Sequence, residues 1–165
     1  MSTATWILIG VGVLVIALIV TGTVGLARLA AHQPDAGQVP SGVRDGHLSP
    51  CPASPNCVST QADPTDTRHR VEPVRYSGTR EKARQTVLEF VETSKRATVT
   101  ADTPGYIRAE FRSNLFKFID DVEFYLPAGE PVVHFRSAAR VGYSDMGVNR
   151  RRYDSFRDYF LSHTK

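Results

Sequence analysis

No charged side chain occurs between Trp6 and Ala27, a run rich in isoleucine, leucine and valine. As a helix that run extends about 33 Å, against a hydrocarbon core of about 30 Å, so it is expected to span a bilayer. A basic leader is also missing, because Met1 to Thr5 carries no side-chain charge. With so long an apolar run, this disfavours a cleaved signal peptide, although the small residues between Ala27 and Ala31 offer a cleavage site. The glycines at 10, 12, 22 and 25 lack a four-residue spacing, so no small-residue helix-pairing motif is present.

Concentrated positive charge is lacking as well. The net charge of +3 comes from 20 basic and 17 acidic residues spread along the chain, and the one dense basic run, Arg150 to Arg152, is followed by Asp154 and Asp158. A protein that neutralises many phosphates carries a basic stripe, so nucleic-acid binding is not expected. There is no nucleotide P-loop pattern and no serine nucleophile elbow. Ser137 and Ser144 are candidate hydroxyls and His69 and His134 candidate bases, but no triad order joins them.

Cysteine is limited to Cys51 and Cys57, set among Pro50, Pro52 and Pro55. The proline density forbids a helix and marks a structured loop. The pair reads as a disulfide formed in an oxidising compartment. Its rival is a metal site using both thiolates with His47 or His69, which the five-residue gap disfavours. No metal and no cofactor is expected. Arg28 and His32 after the span favour a cytoplasmic C-terminal part, yet one arginine at a membrane edge weighs less than the cysteine pair. The expected location is therefore a single-pass membrane protein with its soluble part extracytoplasmic.

What is present suffices for one folded unit, with 41% hydrophobic residues. The expected organisation is a tail over 1–5, a transmembrane anchor over 6–31, a flexible linker over 32–48 and a soluble domain over 49–165. A strand is expected around 70–76. From Thr79 to Ser94, Ala83, Val87, Phe90 and Val91 share one face of a helix capped by Thr79, with Leu88 at its edge. Residues 96–101 and 105–112 read as a hairpin, with Ile107, Ala109 and Phe111 alternating against Tyr106, Arg108, Glu110 and Arg112. A strand from about Asn114 puts Phe116, Phe118, Val122, Phe124 and Leu126 on one parity, and another covers 132–138. A final helix from Asn149, its expected cap, buries Tyr153, Phe156 and Phe160. The fold class is α+β: an antiparallel sheet of about five strands with two helices mainly on one face, preceded by one transmembrane helix.

Charged residues interrupt this core pattern. Asp120 shares the apolar parity and needs a buried partner, so it is expected to be structural, whereas Asp121, Glu123, Arg136 and Arg140 share the opposite face. The simplest role for Asp121 or Glu123 is cross-strand pairing with Arg108, Arg112 or Arg136, while Asp120 accepts backbone or arginine hydrogen bonds. The functional version is anion recognition by Arg136 and Arg140. Gly142 to Arg150 is a shaped loop entering a helix, adding Asp145 and Asn149 as ligand candidates or as caps.

Three blocks, Cys51 to Ser59, Phe118 to Phe124 and Arg136 to Arg150, together resemble the bacterial and plastid domain of unknown function 1499, from about Cys51 to the C-terminus. That resemblance implies no activity. The leading expectation is a membrane-anchored, non-catalytic domain that meets the lipid bilayer through Trp6 to Ala27. It would bind an envelope protein or a small anion at Asp121, Glu123, Arg136 and Arg140. The alternatives are an envelope hydrolase with Asp120, Asp121 or Glu123 as acid or base and an arginine stabilising negative charge, and a structural or assembly protein.

Overall fold

The computed structural model describes residues 2–164; Met1 and Lys165 lie outside the described residues. The charge-free run forms most of helix α1, Thr3–Ala31, which buries none of its residues and has a mean hydropathy of 2.8 in its most apolar stretch. It is long and apolar enough to cross a membrane.

Residues 32–48, expected as a flexible linker, carry a 3₁₀ turn at Ala36–Gln38 and a small hairpin of β1, Val43–Arg44, and β2, His47–Leu48. Asp45 and Gly46, both at positive φ, form its turn. Next come β3, Cys57–Ser59; β4, Val74–Arg75; α2, Arg80–Thr93; β5, Ala97–Thr103; β6, Tyr106–Arg112; β7, Ile119–Tyr125; β8, Val132–Ala139; and α3, Val148–His163. The main sheet runs β3-β8-β7-β6-β5 with every neighbour antiparallel, and β4 pairs with the far end of β8. The fold is thus α+β, with a six-stranded antiparallel sheet.

Helices α2 and α3 pack on one face of this sheet. Phe90 of α2 and Phe156 of α3 both meet Phe124 of β7, with Phe124 and Phe156 ring centroids 4.9 Å apart. Phe124, Phe135, Phe156 and Phe160 have no exposed surface, so aromatic burial supplies much of the driving force on this side. Thr79 caps α2 by accepting from Lys82 N, and Ala83, Val87, Phe90 and Val91 form its buried stripe as their spacing predicts.

Four details differ from the sequence expectation. Cys57 is the first residue of a strand rather than the last of the loop, because the prolines end at Pro55 and Cys57 to Ser59 are free to pair with β8. The strand expected over 70–76 is confined to Val74–Arg75, since Pro73 has no N–H to donate to a ladder. Phe116 and Phe118 are not in the sheet. Lys117 adopts φ 59, and Ser113 closes the loop by donating to Phe118 O and accepting from Phe118 N. Finally, α3 starts at Val148 behind left-handed Gly147, and Asp145 rather than Asn149 caps it, accepting from Gly147 N and Asn149 N.

Candidate functional site

The face of the sheet opposite the helices is charged and nevertheless buried. Register places Glu110 directly across from Asp121, and Glu123 across from Arg136. Two carboxylates opposite one another repel unless a cation lies between them. Arg140 takes that place, donating from Nη2 to Glu110 Oε1 at 2.5 Å and from Nε to Asp121 Oδ2 at 2.7 Å. Arg108 donates to Asp121 Oδ1 at 2.7 Å, an oxygen that also accepts from Arg140 Nη2 at 2.8 Å, and Arg112 donates to the second oxygen of Glu110 at 2.8 Å.

Glu123 forms a second cluster beside the first. Its Oε2 accepts from Arg136 at 2.8 Å, while Oε1 accepts from the Tyr106 hydroxyl at 2.8 Å and from Gly42 N at 2.7 Å. Glu123 is fully buried. Arg136 Nε is buried without a hydrogen-bond partner among the described residues, so one donor of this cluster goes unused.

What covers the charged face is the chain just beyond α1. Residues 33–50 form a strap held through backbone atoms: Pro34 O accepts from Arg140 at 3.3 Å, Ala36 O from Arg108 at 3.1 Å, and Pro50 O from Arg136 at 3.4 Å. Ser41 Oγ adds a bond to Arg108 at 3.0 Å. Gln33 fixes the start of the strap, accepting from Ile119 N at 2.6 Å and donating to Lys117 O at 3.2 Å. Each of the three arginines therefore joins a sheet carboxylate to a strap carbonyl, which suits a guanidinium with five donors in a planar fork.

The protonation equilibria follow from this packing. Burial pushes the Asp121 carboxyl up, but the bonds from Arg140 and Arg108 outweigh it and hold the group below its ordinary range. The bond to Asp121 raises Arg140 further above the already high arginine value. Tyr106 is raised first by burial and then by the Glu123 charge, so its hydroxyl stays a donor.

The other anomalous carboxylate lies on the helix side. Asp120 accepts from Arg152 of α3 at 2.6 Å, and the same guanidinium lies 4.7 Å from the centre of the Phe111 ring. Burial raises the Asp120 carboxyl, and the Arg152 charge only partly offsets it. Arg152 also donates to Ser137 and Asn149, while Asn149, fully buried, donates to Asn56 O at 2.9 Å. Ser137 is likewise buried, and its hydroxyl is engaged by Asn149. His134 lies on the opposite sheet face and bonds Thr60, while His69 bonds Asp66 and Ser54 O. No serine and histidine thus come together as nucleophile and base among these candidates.

The sequence candidates accordingly fall into separate groups. Asp121 and Arg140 meet in one cluster and Glu123 and Arg136 in the next, on the face expected for them. Asp145 and Asn149 lie apart, at the start of α3. Glu110, Tyr106 and Arg152 escaped the sequence reading as site members. Glu110 and Tyr106 share the parity of Arg108, and Arg152 lies three residues after Asn149, which is the signal that could have found them. The strap carbonyls had no signal at all, since every residue carries one.

Cys51 and Cys57 form a disulfide with Cα atoms 5.7 Å apart, closing the loop that leads into β3. Beside it, the strap leaves an open cleft of about 680 Å³ bounded by Ser41, Arg44, His47, Ser49 and Arg108. Among the described residues no cluster of histidine, cysteine, aspartate and glutamate has the arrangement to hold a metal.

Residues 47–160, more than half of the chain, match the family described as Protein of unknown function (DUF1499). No curated protein and no solved structure matches the chain.

Proposed function

The chain belongs to the DUF1499 family of proteins of unknown function, and we propose that it is a single-pass membrane-anchored, extracytoplasmic and non-catalytic domain that binds a small anionic ligand beside its strap. Its ion-pair network is the frame of that site. Asp121, Glu123, Arg136 and Arg140 keep the strap seated, and the ligand enters the cleft bordered by Arg44, His47 and the edge of Arg108.

The observation that carries this reading is the docking of the strap, through Pro34, Ala36, Gly42 and Pro50, onto arginines and a carboxylate that are already paired. Charges so engaged hold a shape better than they turn over a substrate. A hydrolase would need a carboxylate able to gain and release a proton near neutral pH. Asp121 is held below its ordinary range, and Glu123 is closed in by Arg136, Tyr106 and Gly42. The disulfide supports the extracytoplasmic side, since such bonds persist in oxidising compartments.

Two measurements test it. In intact cells, a membrane-impermeant thiol reagent added from outside should label Cys51 and Cys57 only after reduction. Labelling from the cytoplasmic side without reduction overturns the topology. For the cleft, titration of the full chain in detergent with inorganic phosphate should give saturable heat that Arg44→Ala removes. Equal heat from a folded Arg44→Ala chain overturns the ligand site.

A further inference from the structure

One end of the sheet gathers the exposed apolar side chains of the domain. Arg112 pairs with Ile119, Asp120 with Ala139, and Ala97 with Phe111, so the β6–β7 loop, the β8–α3 loop and the start of β5 lie together. On these loops Leu115 is 76% exposed, Tyr143 72% and Met146 86%, with Val148 following at the first position of α3. Among the described residues outside α1, the one other exposed large hydrophobic is Leu161. Such side chains scattered singly need no explanation, but a group at one end does.

That end is also where α1 leaves the domain. Gln33, two residues past the helix, bonds Lys117 O and Ile119 N in the β6–β7 loop, and Ala30 and Ala31 border a depression with Arg112 and Lys117. Ala31 lies about 6 Å beyond Ala27 along the helix axis, against a headgroup layer of about 5–8 Å on each side of the bilayer. A helix ending there brings Leu115 to headgroup depth. Exposed Lys117, Arg96 and Arg151 stand around the apolar tips. The nearby carboxylate of Asp145 is occupied by Gly147 N and Asn149 N, and Glu110 in the depression is paired with Arg112 and Arg140, so the exposed acids near this end are Asp35 at the depression and Glu92 in the last turn of α2. Apolar tips ringed by cations are the composition of a surface that enters a lipid interface, with long basic side chains reaching the phosphates.

We propose that the β6–β7 and β8–α3 loops form a second membrane contact, inserting Leu115, Tyr143 and Met146 into the interfacial layer of the bilayer that α1 spans, with Lys117 and Arg151 on lipid phosphates. The proposal rests on the membrane-anchored reading of α1 and adds to it a fixed orientation. Tied by Gln33 and by two lipid-facing loops, the domain sits upright, with the cleft and the disulfide turned along or away from the membrane.

The full chain, carrying Trp6→Phe and Leu115→Trp, is reconstituted into phosphatidylcholine vesicles with and without phosphatidylglycerol, using lipids brominated near the headgroup or deep in the acyl chain. Position 115 is exposed, so the tryptophan leaves the fold intact. Shallow bromine should quench the introduced indole strongly and deep bromine weakly, with blue-shifted emission. Replacing Lys117 and Arg151 by glutamate should lessen the quenching, most in phosphatidylglycerol vesicles. A chain that resists carbonate extraction yet shows unquenched, red-shifted emission overturns the second contact alone and leaves the apolar loops to a protein partner. A chain released by carbonate overturns the anchor, and the second contact with it.

Discussion

Asp121 is the residue on which the charged face depends. It accepts from both Arg108 and Arg140, and its removal would leave Arg140 with Glu110 alone and Arg108 buried without a carboxylate partner. Breaking a buried pair from one side costs about 3–5 kcal/mol, so Asp121→Asn should lose that much stability in urea unfolding of the detergent-solubilised chain. The pH dependence follows from the same contacts. The folded-state pKa of Asp121 lies below its ordinary value of 3.8, so its contribution is complete above that value and is lost as pH falls through the lower one. Asp120 has the opposite sign: its raised pKa makes its contribution complete below 3.8 and lost as pH rises through the folded-state value. Acid unfolding followed by circular dichroism should therefore be less steep below pH 3.8 in Asp121→Asn than in the parent chain. Asp120→Asn should not flatten it in that way.

At the scale of elements, the loop bearing the cysteines decides where β3 pairs. β3 is three residues long and sits at the sheet edge against β8, with Cys57 opposite Ala138. Closing so short a loop restricts the unfolded chain by about 2 kcal/mol in the chain-entropy account. Mild reduction should lower stability by about that amount, and hydrogen exchange should quicken first at Ser59 and Ala139, whose N–H groups bond His69 O and Asn56 O beside this edge. Helix α2 was readable from its sequence because its apolar spacing and Thr79 cap are local. The β7 boundary was not. Phe116 and Phe118 keep the alternation of the strand, but the positive φ at Lys117 takes the chain out of the sheet before Ile119, and no local propensity of lysine announces that turn.

Across the whole molecule, the strap joins α1 and the sheet. It buries a charged face that would otherwise meet water, so its removal should be felt as more than the loss of a linker. A chain beginning at residue 33 is expected to unfold at higher urea than one beginning at residue 47, although the second spans the full family match. Hydrogen exchange should find the Gly42 and Ile119 N–H groups protected in the first, because both bond side chains across this junction. Equal stability of the two chains would show that the strap does not hold the face closed.

Strand alternation by itself determined that Asp121, Glu123, Arg136 and Arg140 share one face and that Asp120 does not, because side chains alternate wherever a strand is regular. The spanning length of α1, the stripe of α2 and the α+β class were likewise legible, each resting on local periodicity. Only the tertiary structure decided that the charged face is closed. Apart from the Ser41 hydroxyl, the polar contacts of its cover come from backbone carbonyls and one amide of residues 34–50, groups that every sequence has and no pattern marks. Whether a row of paired charges is an open site or a buried frame thus depends on where a distant segment lies, and that follows from the geometry of three guanidinium groups reaching across two layers.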